Sequence, residues 1–258
     1  WEQQRFLQII ETELDNIVDA WNWKVYNGQP KDLERAMLPL ARFFSITDRS
    51  RQGSILFSFA LKHVEVGTKL YVGLLVFKGW HEIWLGNTDQ GTSDIFEALA
   101  LVDQLKLSGM WVMPMSILSF NEGFDVATRE KLVAYYQREQ AEYEKHKDTW
   151  ILAWTEYSLG NMARADGLLE QSEVLLQGSL KHFQTLGDLY GQAWALDALS
   201  TTYRRIPDYA AAEHTAQQLR AISELISYST GMVIALEALG DVALARKNYS
   251  AAYFNYRT

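Results

Sequence analysis

Residues 191–212 read GQAWALDALSTTYRRIPDYAAA, and residues 231–252 read GMVIALEALGDVALARKNYSAA. Offset by forty positions, the two stretches share one glycine, one tyrosine, two leucines and four alanines. These eight identities fall within 28 comparable positions, where ordinary amino-acid composition would give roughly two. The chain therefore contains a repeat of forty residues.

The same offset reaches further toward the amino terminus. Ala153, Trp154 and Leu159 align with Ala193, Trp194 and Leu199. In each unit a small residue precedes a loop residue by seven positions, in the pairs Gly160 and Gly167, Ser200 and Pro207, Gly240 and Lys247, and Gly79 and Gly86. The last pair predicts a further unit, with a longer loop over residues 87–93 before its second helix.

The spacing within a unit predicts two helices that cross closely. Leu196, Leu199 and Tyr203 recur at i, i+3 and i+7, which is the pattern of an amphipathic helix. The small residue Ser200 in the middle of this helix lets a second helix approach, and Ala212, twelve positions later, is the expected reciprocal contact. Ala252 holds the same position in the next unit.

Turn chemistry separates the two helices of each unit. Pro207-Asp208 and Lys247-Asn248 combine a turn residue with a residue that favours the helix N-cap. Each unit is therefore predicted to be a helical hairpin. Because a hairpin cannot bury its apolar face alone, consecutive hairpins must stack against each other.

Helical periodicity extends over the front of the chain. Residues 2–26 predict a single helix, whose apolar face runs from Phe6 to Trp21 and which ends at Gly28 and Pro30. Residues 31–46, 50–64 and 69–85 predict three further helices. No stretch alternates with a period of two between hairpin signals, so no strand is expected.

The composition excludes several classes of function. The chain has 258 residues, 24 basic and 32 acidic side chains, a net charge of −8 and no cysteine. Disulfide and thiolate chemistry are therefore absent, and the acidic balance argues against nucleic-acid binding by this segment. The most apolar stretch, residues 107–121, has 15 uncharged residues and is shorter than the roughly 18 to 20 that span a membrane.

No catalytic constellation is present in the sequence. There is no glycine-rich phosphate loop, no G-x-G-x-x-G and no G-x-S-x-G. His81-Glu82 begins like a zinc-binding helix, but no histidine follows at the fourth position, and the five histidines are scattered over different predicted helices. We therefore expect no enzyme activity, no cofactor and no metal site, and we interpret the histidines as packed or solvated.

One part of the chain resembles a known family. The stretch SLKHFQTLGD at residues 179–188, with Gly191, Ala195-Leu196 and then DYAAA at residues 208–212, is similar to the tetratricopeptide-like repeats of bacterial multidomain regulators. Glu13-Leu14-Asp15-Asn16, with Ala20-Trp21 and Gly28, resembles the helix that opens such arrays. The resemblance covers most of the chain and is firmest over residues 148–258. The period of forty, instead of thirty-four, is a departure that implies longer helices.

The resemblance completes the prediction of the fold. We expect an all-α protein, a right-handed superhelical solenoid of tetratricopeptide-like hairpins that forms one domain over residues 1–258. Within it, residues 1–66 are interpreted as capping helices, residues 67–147 as divergent repeats and residues 148–258 as the clear forty-residue repeats. Residues 107–125 match the repeat pattern poorly, so their pairing is left open.

The resemblance also implies a biological setting. The arrays are similar to those of the signal-transducing ATPases with numerous domains, including the large LuxR-type and maltose-activator-type transcription factors. There the array is a sensor or interaction arm, and the ATPase and effector modules lie elsewhere. The chain begins at Trp1 without a methionine and stops within a predicted helix, so we interpret it as a piece of a longer, cytoplasmic, bacterial regulatory protein.

The same resemblance places a binding face on the first helix of each hairpin. Exposed positions on the concave side are expected at −6, −3, +1 and +4 relative to the small residue. Those positions are Trp154, Tyr157, Asn161 and Arg164; Trp194, Asp197, Thr201 and Arg204; and Ile234, Glu237, Asp241 and Leu244. A mixture of aromatic and charged side chains is typical of surfaces that anchor peptides or small ligands.

Alternatives remain open for several of these residues. Trp154 and Trp194 lie one repeat apart and are also suited to packing in the core, and Arg164 and Arg204 are suited to pairing with nearby acids. Trp80, Trp84 and Trp111 are candidates for a second aromatic cluster or for buried packing. For the whole chain, protein or peptide binding is the favoured function, and the alternatives are sensing of a small-molecule inducer and a scaffold for oligomerisation.

Overall fold

The structure, a computed structural model, describes residues 2–107, 112–120 and 123–257, and it divides the chain into two compact units. The amino-terminal unit, residues 1–115, contains α1 (Glu2–Thr12), α2 (Leu14–Tyr26), α3 (Pro30–Ile46), α4 (Ser50–Leu61), α5 (Lys69–Trp84), α6 (Thr88–Leu105) and α7 (Val112–Met115). The carboxy-terminal unit, residues 116–258, contains a 3₁₀ turn (Ser116–Phe120), α8 (Val126–His146), α9 (Thr149–Ala165), α10 (Leu169–Leu186), α11 (Leu189–Arg205), α12 (Tyr209–Leu225), α13 (Ser229–Ala245) and α14 (Tyr249–Arg257). None of the described residues forms a strand.

The forty-residue repeat governs the helix positions in the carboxy-terminal unit. The first helices α9, α11 and α13 begin at Thr149, Leu189 and Ser229. The second helices α10, α12 and α14 begin at residues 169, 209 and 249. Each first helix contacts its own second helix, and each second helix contacts the next first helix. The predicted all-α solenoid of helical hairpins is thereby confirmed, whereas its right-handed superhelix and its organisation as one domain stay predictions.

Caps set the helix starts at the predicted places. The carboxylate of Asp208 accepts a hydrogen bond from the backbone N–H of Ala211 at 3.0 Å, and Asn248 Oδ1 accepts one from Ala251 at 3.2 Å. Asp188 caps α11 in the same way, through the N–H of Gly191 at 3.1 Å. Such side chains satisfy N–H groups that have no partner within the helix.

The close crossing of the two helices also follows the predicted small residues. Ser200 Oγ donates a hydrogen bond to the carbonyl oxygen of Ala212 at 3.2 Å, which brings α11 and α12 together at the expected pair. In the amino-terminal unit, a Cβ placed on Gly79 would lie 2.7 Å from the carbonyl oxygen of Gly91, twelve residues later. The spacing of twelve residues therefore marks helix crossings in both units.

The prediction of a long loop over residues 87–93 is wrong. Helix α6 begins at Thr88, and Gly91 lies inside its first turns. Glycine, threonine and aspartate in this stretch have the composition of a turn, but Gly91 is required because its Cβ would lie 2.5 Å from the carbonyl oxygen of Gly79. The close helix crossing overrides the local propensity.

The single helix predicted over residues 2–26 is interrupted at Glu13, which separates α1 from α2. Phe6 and Ile9 in α1 are exposed, whereas Leu14 and Trp21 in α2 are buried. The apolar face predicted from the sequence is therefore covered only in its second half, where α2 contacts α3 and α4.

Each unit has its own aromatic core. In the amino-terminal unit the imidazole of His81 stacks on Phe57 and is completely buried, so it is a packed histidine. The largest fully buried side chains of the carboxy-terminal unit are Tyr136, Trp154, Tyr157, Phe183 and Tyr190. Within the described ranges, no helix combines the length and apolar character that crossing a bilayer requires.

Candidate functional site

The first helices α9, α11 and α13 contact one another in sequence, so the predicted binding positions form three adjacent rows. We call the row on each helix the α9 row, the α11 row and the α13 row. The rows differ in accessibility. Exposure increases from α9 through α11 to α13, and this gradient decides which residues a partner can reach.

The α9 row is buried. Trp154, Tyr157 and Asn161 have no exposed surface, and Arg164 is 5% exposed. The exposure expected from the sequence is therefore not found for these four residues. For Trp154 the packing alternative describes the structure, because its indole ring makes T-shaped contacts with Trp150, Tyr157 and Phe183 at centroid distances of 6.3, 5.5 and 5.0 Å.

The aromatic part of the site is covered by the chain itself. The 3₁₀ turn Ser116–Phe120 packs against α9. The ring of Phe120 lies 5.7 Å from the ring of Tyr157 and 5.4 Å from that of Trp194, measured between centroids. Trp194 is consequently only 4% exposed. The rings of Tyr157 and Trp194 also meet each other edge to face at 6.2 Å, so the three rings form one closed cluster. The exposure predicted for Trp194 is therefore not found, and its packing alternative describes the structure.

The polar groups of the α9 row are directed at the protein backbone. Asn161 Nδ2 donates to the carbonyl oxygen of Tyr157 at 3.0 Å, and Arg164 Nη1 donates to that of Ala198 at 3.4 Å. Burial raises the pKa of the Tyr157 hydroxyl well above its ordinary value, which keeps the group neutral. Hydrogen bonding with the side chain of Asn161 opposes this rise, and Asn161 Oδ1 has no hydrogen-bond partner among the described residues.

The accessible part of the site spans the α11 and α13 rows. Asp197, Thr201, Arg204 and Asp241 are partly exposed, and Glu237 is exposed. Two apolar residues complete the α13 row: Ile234 is partly exposed, and Leu244 is exposed. The structure therefore brings together five predicted polar residues on two adjacent helices, with apolar side chains on the same face.

Arg204 connects the two rows. Its Nη1 forms an ion pair with Asp241, and its Nη2 donates to Thr201 Oγ1 at 3.1 Å. Tyr256 Oη donates to the other oxygen of Asp241 at 2.6 Å. Arg204 therefore pairs with a nearby acid, as one of the two alternatives for this residue predicted. It also remains accessible at the surface.

Asp197 is the electrostatically unusual member of the face. Burial raises the pKa of its carboxyl to about 6, nearby Glu237 adds to the rise, and the guanidinium groups of Arg164 and Arg204 oppose it. At neutral pH the group is mostly charged, and below about pH 6 it is mostly protonated. The negative charge of the face therefore decreases as the pH falls from 7 through 6.

Two contributors to the site were not predicted from the sequence. Tyr256 lies sixteen residues after Gly240 and Phe120 lies forty residues before Gly160. A Cβ on Gly160 would contact Leu176, and a Cβ on Gly240 would contact Tyr256. Both side chains lie sixteen residues after the small residue. Extension of the repeat register toward the carboxyl end is the signal that identifies Tyr256, and no such signal identifies Phe120.

The second aromatic cluster is described only in part. Trp80 is buried, and its Nε1 donates to Ser45 Oγ at 3.0 Å, whereas Trp84 is 39% exposed. Their ring centroids lie 6.4 Å apart. Trp111 lies outside the described residues. No group of three or more potential metal-binding side chains occurs in the part of the chain that the structure describes.

Comparison with protein families agrees with the helical repeats. A family model described as Tetratricopeptide repeat matches residues 151–224, which extend from the first turn of α9 to the last turn of α12. The match and the helical hairpins together support a tetratricopeptide-like array. The curated proteins include no match to this chain.

Proposed function

We propose that the chain is a non-enzymatic binding module that recognises a protein or peptide on the face formed by the α11 and α13 rows. Tetratricopeptide repeats generally mediate protein–protein interaction, and proteins built from them are generally non-catalytic scaffolds. One observation carries the proposal: five polar residues lie at accessible positions on two helices that contact each other. They are Asp197, Thr201, Arg204, Glu237 and Asp241.

The chemistry of this face favours a partner with basic and apolar side chains. Asp197, Glu237 and Asp241 supply three carboxylates, and Arg204 is already paired with Asp241. Ile234 and Leu244 supply apolar surface beside them. Complementary charge directs encounter and register, and buried apolar contacts supply most of the affinity.

Selection from a library of random peptides tests this proposal. Peptides selected on the native chain should be enriched in lysine or arginine next to apolar residues. Arg204→Ala and Glu237→Ala should each change their affinity severalfold. Arg220 and Glu224 lie exposed on the second helix α12, so Arg220→Ala and Glu224→Ala are matched controls that should leave it unchanged. The proposal is contradicted if the two variants of the face bind the peptides as tightly as the two controls do. Failure to select any peptide also contradicts it.

A second candidate function is the sensing of a small-molecule inducer. The observation that favours it is the buried amide oxygen Asn161 Oδ1, which lacks a hydrogen-bond partner among the described residues. A polar ligand that donates a hydrogen bond would satisfy this group. A metabolite that raises the thermal midpoint of the native chain, but not that of Asn161→Leu, supports this function. An equal shift in both proteins, or no shift across a broad panel, contradicts it.

The biological setting is a further proposal that rests on the family resemblance. We propose that the array is the sensor or interaction arm of a larger cytoplasmic regulator of bacterial origin, with an attached ATPase and transcription module. The coding sequence that flanks residues 1–258 is the test. A nucleotide-binding module in that flanking sequence supports the proposal, and flanks without any such module contradict it.

A further inference from the structure

A cavity of about 390 Å³ lies in the amino-terminal unit, between the turn that joins α2 to α3 and the segment that joins α4 to α5. Three buried apolar side chains, Val25, Leu33 and Leu70, form its floor. Cavities that bind small molecules usually measure about 300–1,000 Å³ and combine an apolar lining with a few polar groups. The volume and the floor of this cavity are therefore those of a small-molecule site.

The charged lining of the cavity is acidic. Glu34 and Glu65 are accessible at its edge, and the described residues that line it include no lysine or arginine. Lys69, which lies outside the lining, forms an ion pair with Glu34 at 3.7 Å, and half of the lysine side chain is exposed. The carboxylate of Glu65 has no ion-pair partner among the described residues. The cavity therefore keeps a net negative charge.

The third polar group at the cavity is the imidazole of His63. Its Nδ1 lies 2.9 Å from the carbonyl oxygen of Phe59. Because a carbonyl oxygen only accepts, Nδ1 carries the proton, and Nε2 of the neutral ring is an acceptor. The rings of Phe59 and Tyr26 pack on the imidazole at centroid distances of 4.6 and 5.2 Å, which restricts its orientation. Two carboxylates and one imidazole nitrogen are thus available to a donor.

These acceptors match the chemistry of a primary ammonium group. Such a group has one positive charge and three donors, and hydrogen bonds between charged partners are the strongest kind. An apolar body attached to it would cover the floor of the cavity. A metal ion fits less well, because the described residues include no group of three potential metal ligands.

We propose that this cavity binds a small primary alkylamine, with its ammonium group at Glu34, His63 and Glu65 and its alkyl chain on the apolar floor. Lys69 does not prevent access to Glu34, since exposed ion pairs are weak. All residues of the site belong to the amino-terminal unit. The proposal is therefore independent of the recognition face on α11 and α13, which would stand if this proposal failed.

Titration of the native chain with hexylamine, followed by ligand-observed NMR, tests the proposal. Hexanol has the same alkyl chain without a charge and should bind about tenfold more weakly, which is the contribution of one hydrogen bond to a charged group. Hexyltrimethylammonium keeps the charge but has no donor, so it should also bind more weakly than hexylamine. The proposal is overturned if either compound binds as tightly as hexylamine, or if hexylamine does not bind.

Two variants and a matched control locate the site. Glu65→Gln should weaken hexylamine about fivefold, and His63→Phe, which keeps an aromatic ring but removes Nε2, should weaken it about threefold. Asp19 is exposed on α2 outside the cavity. Asp19→Asn changes the net charge as much as Glu65→Gln does and should leave the affinity unchanged. Equal weakening by these two variants would indicate general attraction to an acidic chain and would overturn the proposal.

Two further measurements establish where the amine binds and from which source it comes. The imidazole Hε1 resonance of His63, assigned from its loss in His63→Phe, should shift on addition of hexylamine. A resonance that does not move at saturation overturns the proposal. The lysine model compound Nα-acetyl-lysine-N-methylamide should bind more weakly than hexylamine, because it sets a polar peptide unit against the apolar floor. Tighter binding of this compound would assign the cavity to a lysine side chain of a protein and would also overturn the proposal.

Discussion

Helices α9 and α13 hold the same place in two hairpins of the carboxy-terminal unit, and their binding rows have opposite environments. Trp154 and Tyr157 on α9 are fully buried, whereas the corresponding residues Ile234 and Glu237 on α13 are partly or fully exposed. The reason lies in the neighbours: α9 is flanked by α8, the turn Ser116–Phe120 and α11. A repeat thus fixes the position of a side chain, and the adjacent segments fix its exposure.

The interior of the hairpins differs as well. Glu156 and His182 stand where the next hairpin has Leu196 and Ile222. The distance between Glu156 Oε2 and His182 Nε2 is 3.5 Å, and both side chains are largely covered. A polar pair therefore replaces an apolar one in the α9–α10 hairpin, which makes that hairpin sensitive to pH.

The largest expected effect contrasts the −6 positions of the two rows. Trp154→Ala removes a fully buried indole with three aromatic neighbours and should lower the free energy of unfolding by about 3–5 kcal/mol. Ile234→Ala removes a partly exposed side chain and should cost about 1 kcal/mol. Urea denaturation measures both. Similar losses in the two variants would show that the two rows do not differ in burial.

The next effect contrasts two helical glycines. A Cβ on Gly191 would lie 2.3 Å from the ring of Phe183, which is itself fully buried, so Gly191→Ala should cost about 2–3 kcal/mol. A Cβ on Gly178 would meet only the carboxylate end of Glu156, at 2.8 Å. That end can shift, and alanine favours the helix by about 1 kcal/mol, so Gly178→Ala should change stability by less than about 1 kcal/mol. The same denaturation experiment tests both, and a reversed order would contradict the packing argument.

The helical frame of the molecule was largely predictable from sequence. The repeat register located the starts of α12 and α14 with their caps Asp208 and Asn248, and the crossing of Ser200 with Ala212, because all of these depend on interactions within one hairpin. Local chemistry and a short-range contact determine each of them.

The burial of the α9 row was not predictable in the same way. It depends on Phe120, which belongs to a stretch without clear helical periodicity, and such a segment gives no pattern from which its packing can be inferred. Gly91 shows the converse: its local composition indicated a loop, and the distant contact with Gly79 required a helix. Sequence therefore predicted the exposure of the α11 and α13 positions, apart from Trp194, better than that of the α9 positions.

The pH dependence of stability tests the polar pair in the α9–α10 hairpin. Burial raises the pKa of Glu156 to about 7, from an ordinary value of 4.5. The folded state therefore binds more protons than the unfolded state between these values, and stability falls as the pH rises through 7. Burial, assisted by the charge of Lys181, lowers the pKa of His182 below 6.5, so its contribution to stability increases with pH and levels off about one unit above 6.5, where the imidazole of the unfolded chain has lost its proton.

His182 is present in both the native chain and Glu156→Gln, so the difference in free energy of unfolding between these two proteins isolates the contribution of Glu156. We expect the native chain to lose about 1 kcal/mol relative to Glu156→Gln between pH 6.5 and 8, since one pKa unit corresponds to about 1.4 kcal/mol. Glu156→Leu should stabilise the protein at pH 8. Glu170 is exposed on α10, and Glu170→Gln should leave the pH profile unchanged. Parallel pH profiles of the native chain and Glu156→Gln would assign the pH dependence to another group.

The smallest expected effect concerns the ion pair that joins the α11 and α13 rows. Arg204 and Asp241 are partly exposed, and exposed pairs contribute about 0.2–1 kcal/mol. A double-mutant cycle with Arg204→Ala and Asp241→Ala should give a coupling energy below about 1 kcal/mol, and the coupling should decrease in 1 M salt. A salt-insensitive coupling above 2 kcal/mol would mean that the pair is structural. A weak pair instead allows a charged partner to replace either member at little energetic cost, which is what a recognition face requires and a buried row such as that of α9 cannot provide.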